Sequence, residues 1–387
     1  MRVLWVTEHH PPSKGGMAES CDRIVRGLRN AGVTVDVAHL TRRVRPSQAA
    51  WRAERVQGGR LLTAPLGEDP EHALRRLWTA ITADGTAYTH VAGFGGTYAM
   101  LAAPVLAALL DAPLITLLRG NDIDIGAFSL RRRGPLVDAL RASARVCVVA
   151  RSHAPLVRAL VPDAPVTFVA NSVDTRHWRI LPSERERGAA WRAGHVAEGR
   201  RTVGLIGQLK NKKGVGFLLD ALLRSGHAEA FHLVLVGEVE EEVRGRLAEG
   251  PVAHSFLPFL ERYDLPAVYA ACDLAALPSF YDGMPNVSLE AAALGVPLLA
   301  SDAGGLADVA DDRIGFTFPA GDADACREAV DRAARAGDAD LAKLGAAGAE
   351  RIRTVFTPAA ETAGYRKVLE EVARCSSATR TGTGSGT

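Results

Sequence analysis

The sequence predicts an α/β protein of two similar halves, each a parallel sheet wrapped by helices. Three observations carry that prediction. Through residues 1–180, short apolar runs of strand length alternate with stretches of helical periodicity. The same alternation restarts at residue 201. Between the two series, residues 181–200 are charged and rich in Arg, Glu and Gly, the composition of a hinge. Strands that alternate with helices imply right-handed crossovers and parallel pairing. A chain of 387 residues is long enough for two domains, each with its own core.

In chain order, Val3 to Val6 is a strand, and Ala18, Cys21, Ile24, Val25 and Leu28 form the apolar stripe of the helix that follows. Val33 to Ala38, Leu114 to Leu118 and Val146 to Val149 are further strands of the first half. In the second half Val203 to Ile206 is a strand, followed by a loop containing Lys and Gly and a helix from about Val215 to Leu223. Leu233 to Val236, Leu274 to Leu277 and Pro297 to Ala300 complete the strand pattern. Residues 375–387 are dominated by Ser, Thr, Gly and Ala and are expected to be disordered. Two such halves joined by a hinge leave a cleft at the carboxyl ends of both sets of strands, where ligands bind in this class of fold.

Composition narrows the function. With 47% hydrophobic and 23% charged residues the chain is of the soluble globular type. A net charge of +2 is too small for wrapping phosphate backbones, so no nucleic-acid partner is expected. Cys21, Cys147, Cys272, Cys326 and Cys375 stand singly, without zinc-ligand or redox spacing, which suits reduced thiols in a cytoplasm. No stretch approaches the roughly 18 apolar residues of a spanning helix, and the chain begins on a strand-like run and not a signal peptide. Membrane contact is therefore peripheral at most. Arg131-Arg132-Arg133 and Arg42-Arg43-x-Arg45 could mark a face for anionic lipid, but such runs are usually solvated, and no amphipathic helix rich in Trp or Phe accompanies them. The chain is expected to be a monomer or a dimer.

The strongest local signal runs from Ser279 to Ala291. Asp282 and Glu290 stand eight positions apart, with Gly283 and Pro285 between them and a helix beginning near Asn286. At such a loop-to-helix turn the free N–H groups carry partial positive charge. Carboxylates accept hydrogen bonds from hydroxyls, so this pair around exposed amides suits a polyhydroxylated ligand. Taken alone, the pair more often marks a helix cap with an ordinary surface glutamate.

This stretch resembles the signature of glycosyltransferase family 4, whose members share the two-lobed GT-B fold of Rossmann-like domains with an interdomain cleft. The resemblance implies that Glu290 binds the ribose, while Asp282 and the backbone of Gly283, Met284, Pro285 and Asn286 hold the transferred sugar. Asp282 is one methylene shorter than the family's usual Glu. Pro11 to Glu19, with Gly15-Gly16, is similar to the family's first glycine loop, which puts Gly16 among the donor contacts. Asn171-Ser172-Val173-Asp174 resembles the turn closing the N-terminal lobe, and Ala303-Gly304-Gly305-Leu306 a turn near the nucleotide phosphates. Residues 356–374 match the terminal helix that crosses back to the first lobe, leaving 201–355 as the donor lobe.

Gly207-Gln208-Leu209-Lys210-Asn211-Lys212-Lys213-Gly214 follows the first strand of the second half. The family usually has Arg at the Gln208 position and Lys at the Lys213 position, both on the diphosphate. Fixed cations in a dry site stabilise charge on a departing diphosphate. Gln208 supplies none, so Lys213 carries more of that work. In the first half, Arg119 stands where many relatives have a histidine; a guanidinium is no base at neutral pH, so Arg119 positions substrate or phosphate, or is a structural partner. His9 and His10 follow the first strand.

The resemblance implies retention of anomeric configuration, with the leaving phosphate helping to deprotonate the acceptor, and no bound metal or other cofactor. Asp122-Ile123-Asp124 has the spelling of a metal motif but lies on the acceptor side. A Rossmann oxidoreductase is disfavoured because neither half has Gly-x-Gly-x-x-Gly with the required acid. A sugar-nucleotide epimerase and a non-catalytic sugar-binding module also compete. For the acceptor, Glu8, His9, Asp122 and Asp124 suggest a small cationic or polyhydroxylated molecule such as an aminocyclitol or aminoglycoside intermediate; a lipid-linked or cell-envelope acceptor is the alternative. A UDP-sugar is the expected donor.

Overall fold

The computed structural model describes residues 1–42, 52–83 and 85–382. Arg43 and Arg45 of the second basic run lie outside the described residues, as do residues 383–387. The chain divides into two compact units, Met1–Asn171 together with Pro358–Thr387, and Ser172–Thr357.

The sheet of the first unit has eight strands in the order β3-β4-β2-β1-β5-β6-β7-β8. They are β1 (Arg2–Thr7), β2 (Thr34–Thr41), β3 (Arg52–Val56), β4 (Gly59–Pro65), β5 (His90–Phe94), β6 (Leu114–Leu118), β7 (Ser143–Val148) and β8 (Val166–Phe168). All pairings are parallel except the β3–β4 hairpin at the edge. Val3, Leu4, Trp5 and Val6 are all buried, which explains why the central strand is a continuous apolar run and not an alternating one. The helix Gly16–Asn30 buries Ala18, Cys21, Ile24, Val25 and Leu28, the stripe visible in the sequence. The exposed hairpin strand β3 carries no apolar alternation, and its presence was not legible.

The helix Pro358–Gly382 is part of this first unit's core. Tyr365, Val368, Leu369 and Val372 pack in one cluster with Val3, Trp5, Val25 and Leu28. Arg23 Nε donates to Glu361 Oε2 at 2.7 Å, and the buried His90 Nε2 lies 2.9 Å from the Leu369 carbonyl oxygen. The helix runs on to Gly382, so residues 375–382, expected to be disordered, continue a helix. Elsewhere in this unit Asp36, wholly buried, accepts from Arg2 (2.8 Å), Arg60 (2.9 Å) and Tyr88 (2.9 Å).

The second unit holds six parallel strands in the order β11-β10-β9-β12-β13-β14. These are β9 (Arg201–Leu209), β10 (Phe231–Val239), β11 (Ala253–Leu257), β12 (Leu274–Leu277), β13 (Leu298–Ser301) and β14 (Gly315–Phe318). In order of appearance this is the 3-2-1-4-5-6 arrangement of a doubly wound sheet. The segment expected to be a hinge at 181–200 is instead largely a helix, Pro182–His195, built into this unit. Pro182 starts it, Glu184 accepts from the Leu181 amide at 2.6 Å, and Arg192 donates to Asp273 at 2.9 Å. Gly188, which resembled hinge composition, is a packing glycine: a Cβ there would lie 2.7 Å from the Ala267 carbonyl oxygen.

Candidate functional site

Strand order in the second unit reverses between β9 and β12, and the crevice at the carboxyl ends of such a strand pair is where doubly wound sheets bind ligands. β9 ends in Gly207-Gln208-Leu209, with Gln208 exposed, and a single 3-10 turn, Asn211–Lys213, leads into the helix Val215–Ser225. That turn aims Lys213 at the loop after β12, where its ammonium forms an ion pair with Asp282 Oδ2. Lys212 Nζ lies 3.9 Å from Asp282 Oδ1 and 5.3 Å from the centroid of the Tyr281 ring. Asp282 is only 13% exposed and Lys213 23%, so the pair is incompletely solvated and its attraction exceeds that of a surface pair.

The Asp282 loop is held rigidly. Gly283 N donates to Asp282 Oδ1 at 3.0 Å, and Gly305 N donates to the Gly283 carbonyl at 2.5 Å. Gly304 sits at φ 55°, and a Cβ on it would overlap the Asp282 carbonyl oxygen. The Gly304-Gly305 turn is therefore the bed on which the acidic loop lies. Pro285 precedes the helix Asn286–Ala293, and the Ser288 hydroxyl closes its first turn on the Pro285 carbonyl at 2.7 Å. Met284 is buried, which leaves its backbone as the part that could meet a ligand. Glu290 is half-buried on that helix, beside the fully buried Tyr269: burial, and then the Glu290 charge, raise the Tyr269 phenol well above its usual value. Asp282 and Glu290, singled out by their spacing, and Lys213, singled out by the resemblance, thus belong to adjoining elements of one unit.

In the first unit the residues expected at the acceptor are engaged largely by the protein itself. Glu8 Oε1 accepts from the amides of Tyr98 (2.5 Å) and Ala99 (3.2 Å), capping the positive end of the helix Thr97–Leu109. Asp122 accepts from the amides of Gly96 (3.0 Å) and Arg119 (2.7 Å), tying the loop after β5 to the loop after β6. Asp124 Oδ1 lies 3.3 Å from Nε2 of His153, which is 1% exposed. Arg119 is buried: its guanidinium donates to Tyr365 Oη at 3.0 Å and to Asn171 Oδ1, and lies 5.1 Å from the Phe94 ring centroid. These contacts make Arg119 a pin between β6, the terminal helix and Asn171, the structural option among those open in the sequence. His9 N donates to Thr7 Oγ1 at 2.9 Å, leaving the ring half-buried. Gly16 opens the helix after Gly15. His39, at the end of β2, faces His10 with ring centroids 5.6 Å apart; burial, reinforced by His10, lowers its pKa to about 4.

Residues 200–335 match the family model described as Glycosyl transferases group 1. Among curated proteins, the chain is 27% identical over 229 residues to the 2-deoxystreptamine glucosyltransferase of Streptomyces kanamyceticus, covering 55% of this chain and 59% of that protein. It is 26% identical over 159 residues to the lipopolysaccharide core biosynthesis mannosyltransferase LpsB of Rhizobium meliloti, covering 38% and 43%. The chain thus spans less than two thirds of the length of these relatives. Among solved structures, sucrose-phosphate synthase of Thermosynechococcus elongatus superposes with a TM-score of 0.75 at 19% identity, covering 97% of this chain and 99% of that one. HepE of Anabaena, in complex with UDP and glucose, does so with a TM-score of 0.76 at 18% identity, covering 96% and 100%. The chain therefore has the two-unit α/β fold of the GT-B glycosyltransferases, and its segment 200–335, which contains Lys213, Asp282 and Glu290, carries the pattern of glycosyl transferases group 1.

Proposed function

We propose that the protein is a retaining glycosyltransferase of family 4 that moves a sugar from a nucleotide-sugar donor, a UDP-sugar, to a hydroxyl of a small polar acceptor of the aminocyclitol or aminoglycoside type. The observation that carries this is the Lys213–Asp282 ion pair at the β9–β12 reversal, with Glu290 on the helix that follows. In this reading Lys213 binds the diphosphate, which takes the place of Asp282 as its anionic partner. Asp282 is then released to accept from the hydroxyls of the sugar, and Glu290 accepts from those of the ribose. The bond from the anomeric carbon to the diphosphate oxygen breaks as the acceptor oxygen bonds to the same carbon. The acceptor's proton passes to the departing phosphate, whose charge Lys213 and the helix amides at Asn286 stabilise.

Support for the donor comes from HepE, solved with UDP and glucose, and support for the acceptor from the likeness to a 2-deoxystreptamine glucosyltransferase. Titration with a panel of UDP-, ADP- and GDP-sugars, followed by product analysis with 2-deoxystreptamine, tests both parts. A UDP-sugar that binds and is consumed only when the aminocyclitol is present is the expected result. Donor turnover with no acceptor present would mark an epimerase. Binding of no sugar nucleotide would remove the proposal.

A further inference from the structure

Beyond Asp124 the first unit makes a short 3-10 turn, Gly126–Phe128, and enters the helix Arg133–Ala142. The base of this turn is firmly seated. Ile123 and Leu136 are 1% and 2% exposed, and Ser129 O accepts from the amides of Arg132 (3.2 Å) and Arg133 (2.9 Å). Its tip is the opposite: Phe128 is 91% exposed, Leu130 103% and Ile125 37%. Arg131, Arg132 and Arg133 follow at once, all exposed. Leu130 continues over a shallow groove lined by Val137, Ala159 and Leu160, with Arg133 and Arg141 along it and Asp138 as the one acid.

We propose that this face docks the protein on an anionic lipid surface, with Phe128 and Leu130 inserted at the boundary between headgroups and acyl chains and the arginines on lipid phosphates. The inference does not rest on the donor or acceptor assigned above. Two large apolar side chains held out from a rigid turn cost free energy in water and gain it in an apolar phase. The flanking arginines choose the sign of that phase, since a polybasic segment is drawn to anionic headgroups. A second copy of the chain is disfavoured because a two-fold contact would set the arginine triplets against each other. The apolar tips project and do not form a cavity shaped for one partner side chain, which favours a fluid boundary over a folded protein. No helix among the described residues is long and apolar enough to cross a membrane, so the contact is one that lies on the surface.

Co-sedimentation of the full chain with vesicles of phosphatidylcholine alone, and of phosphatidylcholine mixed with phosphatidylglycerol, is the test. The protein should pellet with the mixed vesicles and not with the neutral ones, and added salt should weaken the binding. The double variant Phe128→Ser/Leu130→Ser should lower partitioning about tenfold or more. Arg131→Ala and Arg132→Ala should each lower it about fivefold. These side chains are exposed, so circular dichroism should be unchanged. The proposal is overturned if mixed vesicles do not pellet the protein, or if the Phe128/Leu130 variant pellets like the parent. It is equally overturned if, without vesicle binding, the face holds soluble polyglutamate or sustains a dimer that the same substitutions abolish.

Discussion

Lys213 meets its counter-ion on a loop 69 residues further along the chain, and both partners are partly shielded from water. On the proposed reading, in which Lys213 holds the departing diphosphate, Lys213→Ala should lower kcat about a hundredfold, as losing one preorganised charge-stabilising group does. Steady-state assays with the preferred donor check this, and near-parental turnover would move the role to Lys210 or Lys212. If Glu290 accepts from the ribose as proposed, Glu290→Ala should weaken donor binding by about 1.5–3 kcal/mol in calorimetry, the value of one charge-assisted hydrogen bond. Asp122 belongs to a different case. Its carboxylate is committed to two backbone amides, so Asp122→Asn should cost about 1 kcal/mol of stability in a denaturant titration and leave the acceptor KM unchanged. A raised KM with unchanged stability would return Asp122 to the acceptor site. The closeness of Asp282 and Glu290 could be read from their spacing, which one loop and one helix set, whereas the approach of Lys213 to Asp282 is made by the fold. The protein partners of Arg119 and of the acids after β1 and β6, namely Tyr365, Asn171, Gly96, Tyr98 and His153, could not be read from the sequence because the fold sets them.

Elements show the same division. Strands buried on both faces and the stripe of Gly16–Asn30 were read directly, since burial dictates their composition. The helix Pro182–His195 was not, because charged residues on its outer face and a packing Gly188 imitate a linker. Phe128 was invisible as a surface residue, since sequence alone assigns an isolated aromatic to a core. The glycine turn after β13 has the sharpest consequence. Gly304→Ala would place a methyl group against the Asp282 carbonyl at a left-handed backbone, so the acidic loop must shift. Loss of about 2 kcal/mol or more of stability, with weakened donor binding, is expected from thermal melts and titration on the same sample. Parental values for both would mean that the turn does not support the loop.

For the whole molecule, His39 and Asp36 are two of the groups that set acid stability, beside the buried His90 and the half-buried His10, whose pKa values burial also lowers. The unfolded His39 ring takes its proton near 6.5, whereas the folded ring does so only at about 4. Between those values the unfolded state binds more protons, so stability is full above pH 6.5 and falls, by up to about 3 kcal/mol, as pH drops toward 4. His39→Gln should flatten that part of a stability–pH curve measured by urea unfolding, and an unchanged slope would assign it to other groups. Asp36 acts lower. Burial alone would raise its carboxyl, but hydrogen bonds from Arg60, Arg2 and Tyr88 outweigh this and hold it below the usual value. Its contribution is therefore present above the ordinary carboxylate range and lost only as pH falls below it.

The terminal helix gives the chain an order of assembly. Ser172–Thr357 is one uninterrupted run and can fold as soon as it leaves the ribosome, whereas the first unit must wait for Tyr365, Val368, Leu369 and Val372, made almost two hundred residues after its last strand. Until then the faces of Val25 and Leu28 that this helix covers stay open to water and to chaperones. In a released chain truncated after residue 357, the later-made unit should resist protease while the earlier-made one is still cut.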